Sequence, residues 1–341
     1  MLDSATMDTP KTNRWLDLRT LIEGVATGVV YGLFLRGCEF VLDRPSRPHW
    51  QWLINADFVM TIAFLVLGPV IIGLLTIRRA GSIQPVPVWQ WIFLPWISVT
   101  LMMAITALLT WEGAICIAMA LPIALVFASI GGIIGGVASR RRRLSTTSMT
   151  CLAVLPFLLA PAESQFTAPT STRTVSSEIR IHASPETIWK NIERVPAISP
   201  SELTPTWAQR IGFPRPIEAT LSYKGVGGIR HASFERGLLF IETVTVWEPQ
   251  QRLAFSIKAD SEHIPPTTFD EHVTIGGRYF DVLDGEYRLE PLPNGDTLLH
   301  LASHQRLSTD FNGYAGLWSD AVMQNLQTSI LQVIQHRCEH A

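Results

Sequence analysis

Few stretches of this 341-residue chain gather side chains able to do acid/base chemistry. The densest is IRHASFERG, Ile229 to Gly237, where alternation along a strand puts His231, Ser233 and Glu235 on one face. Imidazole and carboxylate groups suit proton transfer when an apolar wall tunes their pKa, so His231 and Glu235 are the candidate catalytic residues. In the next run, Glu242 lies on the opposite face from Leu239, Ile241, Thr243 and Trp247. Alternation leaves open which face turns inward, and a solvated outer position is the plainer role for each ionisable group.

Metal and cofactor chemistry finds little support. His300 and His304 share a strand face, but four strand residues separate them by roughly 13 Å, too far for one metal. His336 and His340 flank Cys338 at a spacing that suits two imidazoles on one helix face, yet no third ligand is in reach. The chain contains no HExxH, GxSxG, P-loop or Rossmann glycine pattern, so neither metal nor cofactor is expected. GVGG at Gly225 to Gly228 reads as a loop between strands, TIGGR at Thr274 to Arg278 as a turn. The four cysteines, Cys38, Cys116, Cys151 and Cys338, are scattered and read as buried thiols.

The composition splits the chain. It is 47% hydrophobic and only 16% charged, too apolar for an ordinary soluble enzyme of this size. Through Arg143 the net charge is +4, and from Leu144 onward it is −6. An acidic second half lacks the basic face that nucleic acid requires, so no nucleic-acid partner is expected.

Apolar runs near the roughly 20 residues a bilayer needs occur at Phe58 to Ile77, Val86 to Trp111 and Gly113 to Ala138, with a weaker one at Thr20 to Leu35 interrupted by Glu23. Trp50, Trp52, Trp89, Trp91 and Trp111 gather at their edges, as an aromatic belt would. GGIIGG at Gly131 to Gly136 is a small-residue pattern for close helix packing. Lys11, Arg14, Arg19, Arg78, Arg79 and Arg140 to Arg143 fall on one side if the chain starts in the cytoplasm, with Arg36, Arg44 and Arg47 opposing. Glu23 sits within a turn of a helix start, where a carboxylate reaches the interface and suits the helix dipole. Without internally charged, interrupted spans, the expected role is anchoring or assembly in an integral membrane protein of the cell membrane.

RRRRLSTTSMTCLAVLPFLLAPAES, Arg140 to Ser164, then decides which side the rest of the chain meets. Its strongly apolar part, Met149 to Ala162, is short for a span and carries Pro156 and Pro161. A fifth crossing is expected, with the second half outside the cytoplasm. The domains are then a polytopic membrane domain over 1–143, a fifth hydrophobic segment and linker over 144–174, and a soluble domain over 175–341.

From Val175 the apolar period becomes that of strands. VSSEIRI precedes Ser184-Pro185-Glu186, an N-cap, a first-turn proline and an acid. After a Pro-rich stretch come IEATLSY, IRHASFERG, LLFIETVTVWEP, RLAFSIKA and GEYRLEPLPNGDTLLHLASHQRL, the last with a hairpin at Pro293 to Asp296. A final helix over Tyr314 to Arg337 shows an apolar stripe of Trp318, Val322, Leu326, Ile330 and Ile334.

SSEIRIHASPETIWKNI, ETVTVWEPQQRLAFSI, GEYRLEPLPNGDTLL and NGYAGLWSDAVMQNLQTSILQVI together resemble the START-like superfamily, also called polyketide cyclase/dehydrase and lipid-transport, or SRPBCC. The resemblance covers Val175 to Glu339 and none of the first half. It implies an α+β helix-grip fold, an antiparallel curved sheet around the C-terminal helix with an apolar cavity between them, to follow the transmembrane bundle of four or five helices that the apolar runs predict. Such motifs specify a fold, not an activity. Trp247, Phe255, Tyr279, Tyr287, Tyr314 and Trp318 are the expected cavity residues. The expected function is a membrane-anchored protein that holds a hydrophobic small molecule or lipid. The alternatives are a cyclase or dehydrase working through His231 and Glu235, and a ligand sensor coupled to the membrane helices.

Overall fold

A computed structural model describes residues 16–42, 60–141, 145–163, 166–260 and 274–340. Lys11, Arg14, Arg44, Arg47, Trp50, Trp52, Arg142 and Arg143 lie outside these. The chain divides into two compact units, one of residues 1–106 and 120–165, the other of residues 107–119 and 166–341.

The first unit is helical. It contains α1 (Leu18–Leu42), a π-helical turn (Ala63–Leu67) running into α2 (Gly68–Ile83), α3 (Gln90–Leu108), most of α4 (Ala114–Arg141) and α5 (Thr146–Glu163). Among the described residues, four stretches are long and apolar enough to cross a membrane: Leu18–Cys38, Ala63–Ile83, Gln90–Leu108 and Ala114–Arg141. The second reaches past the expected Ile77 and takes Arg78 and Arg79 into its last turns. The third starts four residues after the expected Val86, because Pro85 and Pro87 hold the preceding backbone extended.

GGIIGG seats α4 against two neighbours. A Cβ on Gly131 would lie 1.8 Å from the Val70 carbonyl of α2, and one on Gly132 would lie 1.9 Å from the Trp91 carbonyl of α3. The next pair repeats the pattern, Gly135 facing Leu74 and Gly136 facing the Trp91 ring. Each glycine pair therefore removes side-chain bulk toward both helices, the close approach that van der Waals packing between spans requires.

Charge marks one end of this bundle. Glu23 of α1 accepts hydrogen bonds from Arg19 at 2.7 Å and from Arg79 of α2, and the Arg140 guanidinium of α4 lies 4.6 Å over the Trp91 ring at the start of α3. At the other end the Glu163 carboxylate closing α5 accepts from the Ile62 and Ala63 amides at 2.5 and 2.9 Å, where the second span begins. Those amides have no intrahelical acceptor, and a carboxylate there satisfies both hydrogen bonding and the helix dipole. Between its ends α5 contacts α1: Tyr31 donates to the Ala153 carbonyl at 2.9 Å, and the Phe34 and Phe157 rings meet edge-on at 5.8 Å.

The second unit carries a seven-stranded antiparallel sheet in the order β1-β7-β6-β5-β4-β3-β2. The strands are β1 (Thr170–Ile181), β2 (Pro216–Leu221), β3 (Ile229–Phe234), β4 (Leu239–Glu248), β5 (Arg252–Asp260), β6 (Phe280–Pro291) and β7 (Thr297–Ser308). β1 begins five residues before Val175, since Thr170 to Thr174 already pair with Ser308 to His304. α6 (Pro185–Glu193) follows it, capped as the sequence predicts by the Ser184 hydroxyl accepting from the Thr187 amide. A one-turn helix, α7 (Trp207–Arg210), precedes β2, and Gly295 at φ +88° turns the β6–β7 hairpin.

Along the sheet lies α8 (Asn312–Glu339), which completes a helix-grip arrangement. Its inward row differs from the predicted stripe. Met323, Gln327, Leu331, Ile334 and Cys338 are buried, while Val322, Leu326 and Ile330 are half-buried beside them and Trp318 is half-buried near the start. A strict step of four drifts around a helix of 3.6 residues per turn, and the buried line follows the helical period instead. Gln327 is satisfied on every side: it donates to the Val175 carbonyl at 3.0 Å and Ser303 at 2.7 Å, and accepts from Ser177 at 2.9 Å. Arg173 on β1 pairs with Asp320, and Arg337 pairs with Glu202 through two contacts of 2.6 and 3.1 Å.

Candidate functional site

Between the sheet and α8 lies a cavity of about 90 Å³. Phe234, Phe240, Ile257, Leu301, Met323 and Leu326 give it apolar walls. Several waters fit such a volume. Pockets that enclose drug-sized ligands are larger, about 300–1,000 Å³, so a lipid-sized guest needs α8 side chains such as Met323 and Leu326 to move.

One cluster of polar groups interrupts the apolar lining. Arg230 of β3 and Glu242 of β4 are register partners on adjacent strands. They are 4% and 5% exposed, and Arg230 Nη1 donates to Glu242 Oε2. Tyr287 of β6 stands beside Arg230 on the cavity lining, and the Arg230 guanidinium lies 5.5 Å from the Phe255 ring centroid on β5. Four neighbouring strands thus each contribute one inward side chain. Gly285 opposes Phe255 across the β5–β6 ladder, and a Cβ there would come within 2.6 Å of the Phe255 ring, so the missing side chain makes room for it.

Burial governs the electrostatics. It pushes the Glu242 carboxyl above the ordinary carboxylate range, and the Arg230 guanidinium opposes that shift. The Tyr287 hydroxyl is pushed up to about 12, chiefly by burial, which leaves it protonated at neutral pH. Arginine stays charged in proteins, and an uncompensated buried guanidinium is costly. Glu242 is therefore best read as the counter-ion, making the pair net neutral. Arg230 Nε, also buried, finds no hydrogen-bond partner among the described residues.

Of the residues singled out from sequence, Phe255 and Tyr287 line this cavity. His231 and Glu235 are exposed and outside the lining. Glu235 instead accepts from the Arg215 amide at 3.3 Å. Trp247 meets Trp189 edge-on at 5.2 Å, Trp318 meets Trp207 at 6.2 Å, Tyr279 is buried with Arg278 over its ring, and Tyr314 is half-buried at the start of α8. None of these four belongs to the cavity wall. His300 lies between Glu178 and Glu290 at 3.2 and 3.1 Å, and His304 meets Asp284 at 2.7 Å. His336 and His340 are exposed.

Sequence reading passed over Arg230, although a signal was present. Arg230 shares its strand face with Ala232 and Phe234, an apolar set, whereas His231 and Glu235, on the other alternation, are exposed. Glu242 likewise shares a face with Phe240 and Val244, both buried.

No protein-family model and no curated protein matches the chain. Solved structures do match its C-terminal half, and the N-terminal region has no match. A START superfamily protein from Mycobacterium smegmatis is 14% identical, covering 49% of this chain and 97% of that one with a TM-score of 0.32. Truncated norcoclaurine synthase from Thalictrum flavum is 12% identical, covering 49% and 92% with a TM-score of 0.31. A protein from Nitrosospira multiformis is 17% identical, covering 49% and 96% with a TM-score of 0.30.

Proposed function

We propose that this protein is a membrane-anchored binding protein whose helix-grip domain, over residues 175–341, holds a hydrophobic small molecule between the sheet and α8. The observation that carries this reading is an apolar cavity with one buried polar cluster, the arrangement expected of a site that encloses an apolar body and orients it by a few convergent groups. Residues 1–143 serve as the anchor. A cyclase or dehydrase would need its acid or base on the cavity wall, where Glu242 and Tyr287 stand and His231 and Glu235 do not.

The domain works outside the cytoplasm, at the cell membrane. Supporting this, α5 starts beside the basic end of the bundle and its last residue, Glu163, caps the start of the second span at the other end. Eighteen residues of helix cover about 27 Å, close to the ~30 Å hydrocarbon thickness. Basic residues mark the cytoplasmic end, so the chain beyond Glu163 leaves on the opposite side.

Two measurements test the proposal. Full-length protein in nanodiscs is extracted and its retained small molecules are identified by mass spectrometry, beside Ala232→Leu, which fills the cavity. A compound held by the wild type and absent from the variant is expected, and identical empty extracts would sink the binding reading. For sidedness, a reporter active only outside the cytoplasm is fused after Pro169. Activity is expected there, and activity of a cytoplasm-only reporter at the same point would reverse the topology.

A further inference from the structure

A second cavity, of about 550 Å³, lies inside the helical unit, where α5 runs alongside α1 and α2. It is several times the volume of the one under the sheet and falls within the range of pockets that enclose small molecules, about 300–1,000 Å³. Tyr31, Phe34 and Cys38 of α1, Leu75 of α2, and Met149 and Phe157 of α5 form most of its wall, and among the described residues no charged side chain lines it. Tyr31 sets its width. Its hydroxyl reaches the Ala153 carbonyl at 2.9 Å and so holds α5 a phenol ring's length from α1, while Phe34 and Phe157 meet only edge-on at 5.8 Å. Where α4 is seated on its neighbours through glycines, α5 meets α1 through large side chains, and the groove is the space they leave.

An apolar cavity stays free of water, and packing between spans depends on van der Waals contact, so an empty groove here would forfeit the contact that holds α5. Its rim opens sideways through Phe34 and Val154, which are 59% and 43% exposed, onto a surface that a bilayer would bathe in hydrocarbon. Length narrows the occupant. At 1.5 Å per residue the wall rises about 10 Å from Tyr31 to Cys38 and about 12 Å from Met149 to Phe157, against about 15 Å for one leaflet, half of the ~30 Å hydrocarbon core. Tyr31 and Cys38 lie in the half of the Leu18–Cys38 stretch remote from the Arg19–Glu23 pair. We infer that the groove is a lipid site, holding one acyl chain of a phospholipid from the leaflet remote from that charged end. This rests on α1, α2 and α5 spanning a bilayer and is independent of what the helix-grip domain binds.

Full-length protein is placed in phosphatidylcholine nanodiscs doped with a phosphatidylcholine that carries a diazirine midway along one acyl chain, then irradiated, and the labelled residues are mapped by mass spectrometry. Label is expected severalfold higher on Phe34, Met149 and Phe157 than on Leu101 of α3 and Val126 of α4, exposed apolar positions outside the groove. Ala153→Phe fills the groove while keeping the carbonyl that receives Tyr31, and should lose that excess with labelling at Leu101 and Val126 unchanged. Leu158→Phe, at an exposed α5 position outside the lining, should retain it. Even labelling of groove and outer surface in the wild type is the pattern of ordinary boundary lipid; it overturns the site and leaves the spans standing. An excess that survives Ala153→Phe overturns the groove as its place. Loss of the excess on adding palmitate overturns the phospholipid assignment in favour of a free fatty acid. Absence of label at all five positions removes the membrane reading and the inference with it. The wild-type map needs no substitution, so a folding defect in a variant cannot obscure the outcome.

Discussion

Arg230 and Glu242 face each other across β3 and β4 as direct register partners, hydrogen-bonded and buried on the inner face of the sheet. Two opposite charges in so apolar a place are stable together and unstable apart. Removing one partner from such a pair costs about 3–5 kcal/mol, whereas replacing both with apolar groups of similar size is often neutral or better. Arg230→Met and Glu242→Leu should each lower the thermal midpoint of full-length protein sharply, and the double variant should recover most of it. Additive losses would mean that the two charges are not energetically coupled.

Gln327 ties α8 to β1 and β7 through three hydrogen bonds at a position that is 2% exposed. Gln327→Leu keeps the volume and leaves Ser303, Ser177 and the Val175 carbonyl unanswered, at about 1–3 kcal/mol. Faster amide exchange confined to the middle of α8 is the expected signature. An unchanged exchange pattern would mean that apolar packing alone holds the helix.

Asp296 in the β6–β7 hairpin accepts from His182, Asn294 and Arg180, which hold its carboxyl down at about 2. Its folded pKa is depressed, so the stability it supplies is fully present above the ordinary Asp value of about 4 and is lost as pH falls through about 2. The thermal midpoints of wild type and Asp296→Asn should differ at pH 6 and converge by pH 2. A difference that persists undiminished at pH 2 would place its origin outside the carboxylate charge.

Gly285→Ala puts a methyl group where the Phe255 ring stands, 2.6 Å from its nearest atom. The ring must move, costing about 1–3 kcal/mol of overpacking. Retention of the cavity's small-molecule occupant, read by mass spectrometry of the full-length protein, should weaken together with stability. Lost stability with intact binding would show that the ring is a packing element only.

In the helical unit, Gly132→Val drives a side chain into the Trp91 backbone, whereas Ile134→Val changes a position that is 47% exposed. The first should abolish the compact, protease-resistant helical fragment in mild detergent and the second should leave it intact. Equal resistance in both would contradict the tight α3–α4 crossing.

The sequence by itself determined the elements whose causes are local. Apolar runs of bilayer length, Ser184 before Pro185, Gly295 in the hairpin and the small-residue spacing of GGIIGG each carry their reason within a few residues. Strand alternation separated the two faces of β3, with Arg230, Ala232 and Phe234 on one and His231 on the other, and left open which of them turned inward. What only the tertiary structure decided was which side chains from distant strands meet. Arg230, Glu242, Phe255 and Tyr287 converge through the registers of four strands, and those registers are fixed by long-range pairing that no local window contains. Burial then did the rest: it joined the arginine to its carboxylate, left a donor unanswered, and distinguished the wall of the cavity from the aromatic residues Trp247, Tyr279, Tyr314 and Trp318 that pack elsewhere.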